Sequence, residues 1–125
     1  MPTRVMVFAK IKQGTEAAFE AAFAEVTRKV KGTPGHIGDE LLRNSTGADV
    51  MPGAEPRGDI ETGTTQYILL SEWTSRDAFL QWERDPIHMQ TTTPMRPYWA
   101  GRVERQIYDI GVRLEDAPTA ALASR

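Results

Sequence analysis

The chain has no cysteine, which excludes disulfides, a thiol nucleophile and thiolate metal sites, and suits a reducing cytosol. Charge of one sign is also missing. Fifteen Lys and Arg stand against 17 Asp and Glu, a net charge of -2, with the signs interspersed, so there is no basic footprint for nucleic acid. No apolar run approaches the length of a membrane span, and the start, Met1-Pro-Thr-Arg-Val, lacks a signal-peptide apolar region. These features lead us to expect a cytoplasmic protein with neither nucleic-acid nor membrane partners. Only two histidines are present, His36 and His88, and no carboxylate pair, Ser-His-Asp order, glycine-rich phosphate loop or metal-spaced cluster is visible. The expected metal complement is none. At 125 residues the chain fits one domain with one core.

The most informative stretch runs from Tyr67 to Pro86. Tyr67-Ile-Leu-Leu is a continuous apolar run of a buried strand, and it leads through Ser71 and Glu72 to Trp73. Phe79 and Trp82 then recur at helical spacing. Thr74 or Ser75 supplies an oxygen to cap the helix, and Asp77 lies in its first turn, where the helix dipole favours negative charge.

The remaining segments follow the same rules. Arg4 to Lys12 reads as a first strand. A helix runs from about Thr15, a good N-cap, to about Lys31, with Phe19, Phe23, Val26 and Val30 on one stripe. Gly32, Pro34 and Gly35 stop it. A second strand covers about His36 to Arg43, with Ile37 and Leu41 alternating against Gly38 and Leu42. Residues 44–66 form a long, turn-rich connection, in which Val50, Met51 and Ile60 are able to dock on the body or stay at a mobile tip. Pro86 to Thr93 is a further helical segment weakened by three threonines, and Pro94 and Pro97 break it. The last strand spans about Arg102 to Leu114, followed by a tail over 115–125.

The order is β-α-β-β-α-β, the split pattern of an α+β ferredoxin-like subunit with a four-stranded antiparallel sheet. Strands one and three are apolar on both faces: Val5, Val7, Ala9 and Ile11 against Met6 and Phe8, then Tyr67 and Leu69 against Ile68 and Leu70. Two helices cover one face of such a sheet, so the other calls for a partner. A homodimer packed sheet to sheet supplies it.

The motif strand–Trp73-Thr-Ser-Arg-Asp-Ala-Phe79-x-x-Trp82, with Thr33-Pro-Gly-His-Ile-Gly38 and Ile107-Tyr-Asp-Ile-Gly111, resembles the antibiotic biosynthesis monooxygenase family of dimeric α/β barrels. The resemblance implies a single domain over residues 1–114, with 44–66 as an insertion where family members commonly have a tight hairpin. It implies an oxidoreductase of monooxygenase type acting on a small aromatic substrate, polyketide- or quinol-like. It also implies no cofactor: an electron-rich phenolate reduces dioxygen itself.

By the same resemblance Trp73 and His88 carry the chemistry, Trp73 stacking on the substrate and offering one N–H, with His88 or His36 as base or hydrogen-bond partner. Phe8, Phe23, His36 and Leu69 are the implied substrate-binding residues. From the residues alone, a tryptophan at a strand end is core and a lone histidine is structural.

A second reading is a haem-binding, haem-degrading monooxygenase, and a third a non-catalytic ligand-binding barrel. Two departures bear on the choice. Haem-degrading relatives have an asparagine near the position of Phe8, and a proximal histidine where Thr91 to Thr93 stand, with His88 one turn earlier. Cofactor-independent oxygenases carry an asparagine four residues before the tryptophan, where this chain has Leu69.

Overall fold

A computed structural model describes residues 1–46, 52–53 and 63–113. The insertion residues Val50, Met51 and Ile60, and the tail over 115–125, lie outside the described residues.

Four strands and three α-helices follow in the order β1 (Thr3–Lys12), α1 (Glu16–Val30), β2 (His36–Arg43), β3 (Thr64–Trp73), α2 (Arg76–Arg84), α3 (Pro86–Thr92), a 3₁₀ helix (Thr93–Tyr98) and β4 (Glu104–Asp109). The sheet is antiparallel throughout, in the order β2-β3-β1-β4. This is the α+β ferredoxin-like architecture expected from the element order.

Side-chain alternation divides the sheet into two faces. Thr3, Val5, Ala9 and Ile11 of β1 and Tyr67 and Trp73 of β3 are buried, and they pack with Phe19, Ala22, Val26, Val30, Phe79 and Met95. Met6 and Phe8, paired with Leu70 and Ile68, have the opposite parity. They lie on the face without helices, among residues that are half-buried in the single chain.

Helix ends differ in detail from expectation. Thr15 occupies the N-cap of α1, but its hydroxyl donates to the Lys12 carbonyl (2.6 Å) instead of accepting from the helix. Ser75, not Thr74, caps α2, accepting from the Ala78 N–H at 3.1 Å. In α1 Ala22 is buried with Phe19, Val26 and Val30, and Phe23 is half-buried and turned to a cavity. The threonines do not end α3 early. Thr92 and Thr93 donate their hydroxyls back to the carbonyls of His88 and Met89, a local bond open to β-branched hydroxyls. Pro94 and Pro97 then sit within the 3₁₀ helix, since short 3₁₀ turns commonly continue an α-helix end.

The last strand is shorter than the apolar pattern suggested, because β1 has no more edge to offer. Asp109 already pairs with Thr3 at one end, while at the other Trp99 bridges Ile11 and Ala100 N–H donates to Lys10 O (2.8 Å).

A β-bulge between His36 and Gly38 corrects the expected alternation of β2. It places His36 opposite Trp73 and turns Ile37 outward, 53% exposed. Asp39 then pairs with Ser71 and Leu41 with Leu69 on the helix side. One extra residue in a strand re-aims its neighbours, which is a common use of bulges beside sites.

Candidate functional site

A cavity of about 320 Å³ lies between the sheet and the helices. Its floor is Val5 and Val7 of β1 and Leu69, Ser71 and Trp73 of β3. Its walls are Phe23, Val26 and Thr27 of α1, Phe79, Trp82 and Glu83 of α2, and His88 and Thr92 of α3. Asp39, on edge strand β2, closes one flank; Arg96, Trp99, Val103 and Arg105 close the other, beside β4.

The wall is a run of rings. Trp73, fully buried, stacks on Trp82 with centroids 5.5 Å apart and planes at 29°, and meets Phe79 edge-on at 5.6 Å. His36 abuts the other side of Trp73, 5.0 Å away, and His88 stands edge-on to Trp82 at 4.4 Å. The sequence pattern Trp73, Phe79, Trp82 thus closes in space because α2 folds straight back on the end of β3. Gly35 permits that turn. Its φ is +84°, its carbonyl accepts from Thr74 N–H at 2.8 Å, and a Cβ there would lie 2.5 Å from the Ala78 Cβ.

Of the six residues singled out in the sequence, Trp73, His88, Phe23 and Leu69 meet around this cavity. Phe8 does not: strand parity puts it on the opposite face, in a shallow depression with Leu42, Ile68 and Gln66. His36 stands behind Trp73 rather than on the cavity surface, its ring bonded to Asp39 (Nε2 to Oδ2, 2.8 Å). The Trp73 N–H expected to face a ligand is already donated to Ser71 Oγ at 2.9 Å. The indole, fully buried beneath Trp82, therefore offers a ligand no free donor.

Asp39, Arg96 and Trp99 are among the polar wall residues that were not singled out. Asp39 shares the inward parity of Leu41, and a carboxylate on that alternation was the available signal. Burial holds its carboxyl above the usual range, and His36 pulls it partly back. Arg96 and Trp99 fall in a proline-broken stretch that gave no signal. The Arg96 guanidinium lies 5.1 Å from the Trp99 ring centre and donates from Nη2 to Thr92 Oγ1 (3.1 Å). Among the described residues Arg96 Nε and Trp99 Nε1 are buried without a hydrogen-bond partner; such groups are rare, because an unmade buried bond costs about 1–3 kcal/mol. The His88 ring is held below its ordinary pKa by burial, with Arg96 acting in the same direction and Glu83 against it. It is the neutral form that the site favours. Among the described residues no group of three or more His, Cys, Asp or Glu is arranged to hold a metal ion, and no helix is long and apolar enough to cross a membrane.

The family model for antibiotic biosynthesis monooxygenases matches residues 2–51. Over that stretch the chain is similar to the antibiotic biosynthesis monooxygenases. SnoaB, a cofactor-independent oxygenase from Streptomyces nogalater, superposes with a TM-score of 0.63 at 23% identity, over 92% of this chain and 97% of that one. Rv0793 from Mycobacterium tuberculosis gives 0.64 at 12% identity, over 91% and 99%. Both likenesses are likenesses of fold. Among curated proteins, SchA of Streptomyces halstedii is 26% identical over 122 residues, or 98% of this chain. A 42.8 kDa protein in the whiE locus of Streptomyces coelicolor is 26% identical over 92 residues, or 74% of it. The chain spans only 28% and 19% of the length of these two relatives.

Proposed function

We propose that the protein is a cofactor-independent oxygenase of a small polycyclic phenol or anthrone, working as a homodimer. The observation that carries this reading is the cavity itself: an apolar space walled by aromatic rings, with the Arg96 guanidinium beside the Trp99 ring on its β4 flank. A volume of about 320 Å³ falls at the small end of ligand pockets, roughly 300–1,000 Å³, and a flat ring system fits against Trp82. The Arg96 positive charge suits the oxygen on which negative charge collects when such a substrate ionises. The fold it shares with SnoaB supports the same chemistry.

In this reaction an activated methylene between two rings is oxidised by dioxygen: two C–H bonds are lost, a C=O forms, and the second oxygen atom leaves as water. The carbanion-like enolate is the reductant. The protein's part is to hold the ring plane, exclude water and promote ionisation. The asparagine amide of oxygenase relatives is replaced by Leu69 on the cavity floor, and the Arg96 guanidinium on the β4 flank offers positive charge in its stead.

Incubation with 1,8-dihydroxyanthrone in an oxygen electrode tests the reading. We expect one dioxygen consumed per quinone formed, without added metal, flavin or haem. Binding without oxygen uptake across a panel of anthrones and naphthols would support a non-catalytic barrel instead. The haem reading has less support, since Phe8, at the strand-one position, points away from the cavity; a haemin titration that shifts the Soret band would revive it.

A further inference from the structure

We infer that Asp39 is the group that takes the proton from the substrate, and that His36 positions it. The inference deepens the oxygenase reading and rests on it. Asp39 is the carboxylate on the β2 flank of the cavity, its side chain 15% exposed. One oxygen, Oδ2, is fixed by His36 Nε2 at 2.8 Å. Among the described residues nothing bonds Oδ1, which leaves that oxygen to the cavity. The His36 ring is in turn only 5% exposed and held against the Trp73 edge at 5.0 Å, so the carboxylate cannot swing. The β-bulge makes this arrangement: without it His36 and Asp39, three apart, would point to opposite faces of the sheet.

His36 bonds Asp39 from its own strand and Ser71 stands opposite it on β3. The charged and titratable groups lining the same cavity are Glu83 of α2, His88 of α3, Arg96 and Arg105. A carboxylate that is partly desolvated is a stronger base than one in water; burial holds the Asp39 carboxyl above its usual range, against the opposing pull of His36.

A flat tricycle lying on the cavity floor can turn its activated methylene toward Asp39 on the β2 flank. The C–H bond at its activated methylene breaks, the proton ends on Asp39 Oδ1, and the electron pair moves through the ring to the carbonyl oxygen at the far side.

The test uses 1,8-dihydroxyanthrone under nitrogen, followed by admission of dioxygen. The wild-type protein should show the enolate absorption band at a pH where the free compound is neutral. Asp39→Asn, which keeps the shape and the His36 contact, should bind with the same Kd by tryptophan quenching, show no band, and lose turnover about 100-fold or more. His36→Gln should keep the band but move the acid limb of the rate profile to higher pH, because the imidazole that pulls the Asp39 carboxyl down is gone. A purely structural pair would not move that limb. An enolate band in Asp39→Asn equal to wild type overturns the assignment, as does a wild type that binds without forming the band. A wild-type band with no oxygen uptake sinks the oxygenase reading alone. Failure of the wild type to bind any anthrone overturns both.

Discussion

Trp82 covers one face of Trp73, centroids 5.5 Å apart and planes 29° from parallel, and the two histidines close the ends of the pair: His36 against Trp73 at 5.0 Å, His88 against Trp82 at 4.4 Å. The four rings come from β2, β3, α2 and α3, so one contact line ties the strand corner to both short helices. Aromatic contacts of this kind contribute about 0.5–1.5 kcal/mol each beyond burial. The same line is the cavity wall, which couples the stability of this corner to the shape of the site.

Trp73→Ala should therefore cost about 3–5 kcal/mol in denaturant unfolding and abolish anthrone binding. Trp73→Phe separates the two effects. It keeps most of the buried ring but leaves Ser71 without its N–H donor and narrows the wall, so we expect a folded protein with ligand affinity at least tenfold weaker. A Phe variant with wild-type affinity and turnover would reduce Trp73 to a core residue.

The second measurement is the pH dependence of stability. The His88 pKa is lowered in the folded state, so the folded protein binds this proton less readily than the unfolded chain. The His88 contribution is fully present above the unfolded pKa, about 6.5, and is lost as pH falls through the folded value. Urea unfolding of His88→Gln should show a shallower loss of stability below about pH 6.5 than wild type. Parallel curves would show that His88 is more solvated than its place against Trp82 implies.

Much of this was legible because the signals were local. The Trp73 corner, the Ser75 cap region and the β-α-β-β-α-β order rest on periodicity and capping, which neighbouring residues determine. Trp73, His88, Phe23 and Leu69 come together as their elements predict. The failures were all non-local. Phe8 was put in the wrong layer because an apolar strand position does not say which face the helices cover. His36 and Ile37 exchanged places because a bulge depends on how β2 pairs with β3, not on β2 itself. Arg96 and Trp99 reach the cavity through the Trp99–Ile11 bridge, a contact between residues far apart in the chain and invisible to any short window.

Gly35 offers a sharper test of the corner. A side chain at φ +84° is strained, about 1–2 kcal/mol, and the Cβ would sit 2.5 Å from Ala78 Cβ and 2.9 Å from Thr74 Oγ1. Gly35→Ala should lose about 2–4 kcal/mol in total and push α2 off the strand end, loosening the Trp73–Trp82 stack. Gly32, at φ +95° with open space around it, is the control: Gly32→Ala should lose only the backbone part. Equal losses at the two positions would mean that the close approach of Ala78 is unimportant.

The last prediction concerns the uncovered face of the sheet. Met6, Phe8, Ile68 and Leu70 stand at its centre in the pairs Met6–Leu70 and Phe8–Ile68. Leu42, 43% exposed, and Tyr108, 50% exposed, flank them. Glu40 on the edge strand β2 stands opposite Leu70, and the other charges lie toward the strand ends. Glu72 is bonded by Arg113 (2.7 Å) and Arg4 (3.3 Å), and those guanidinium groups hold its carboxyl below the usual range. An apolar centre rimmed by ion pairs is the usual anatomy of a subunit interface. Four strands of this length present a footprint of about 500 Å², within reach of the roughly 800 Å² of accessible surface that each partner of a stable dimer buries. Placing a charge at the centre leaves the helix-side core untouched, because parity separates the layers. Ile68→Lys should therefore convert a dimer to a folded monomer in light scattering, with its circular dichroism unchanged and its cavity still able to bind. A wild-type protein that is already monomeric at micromolar concentration would overturn the sheet-to-sheet dimer, and a charged variant that stays dimeric would move the interface to another surface.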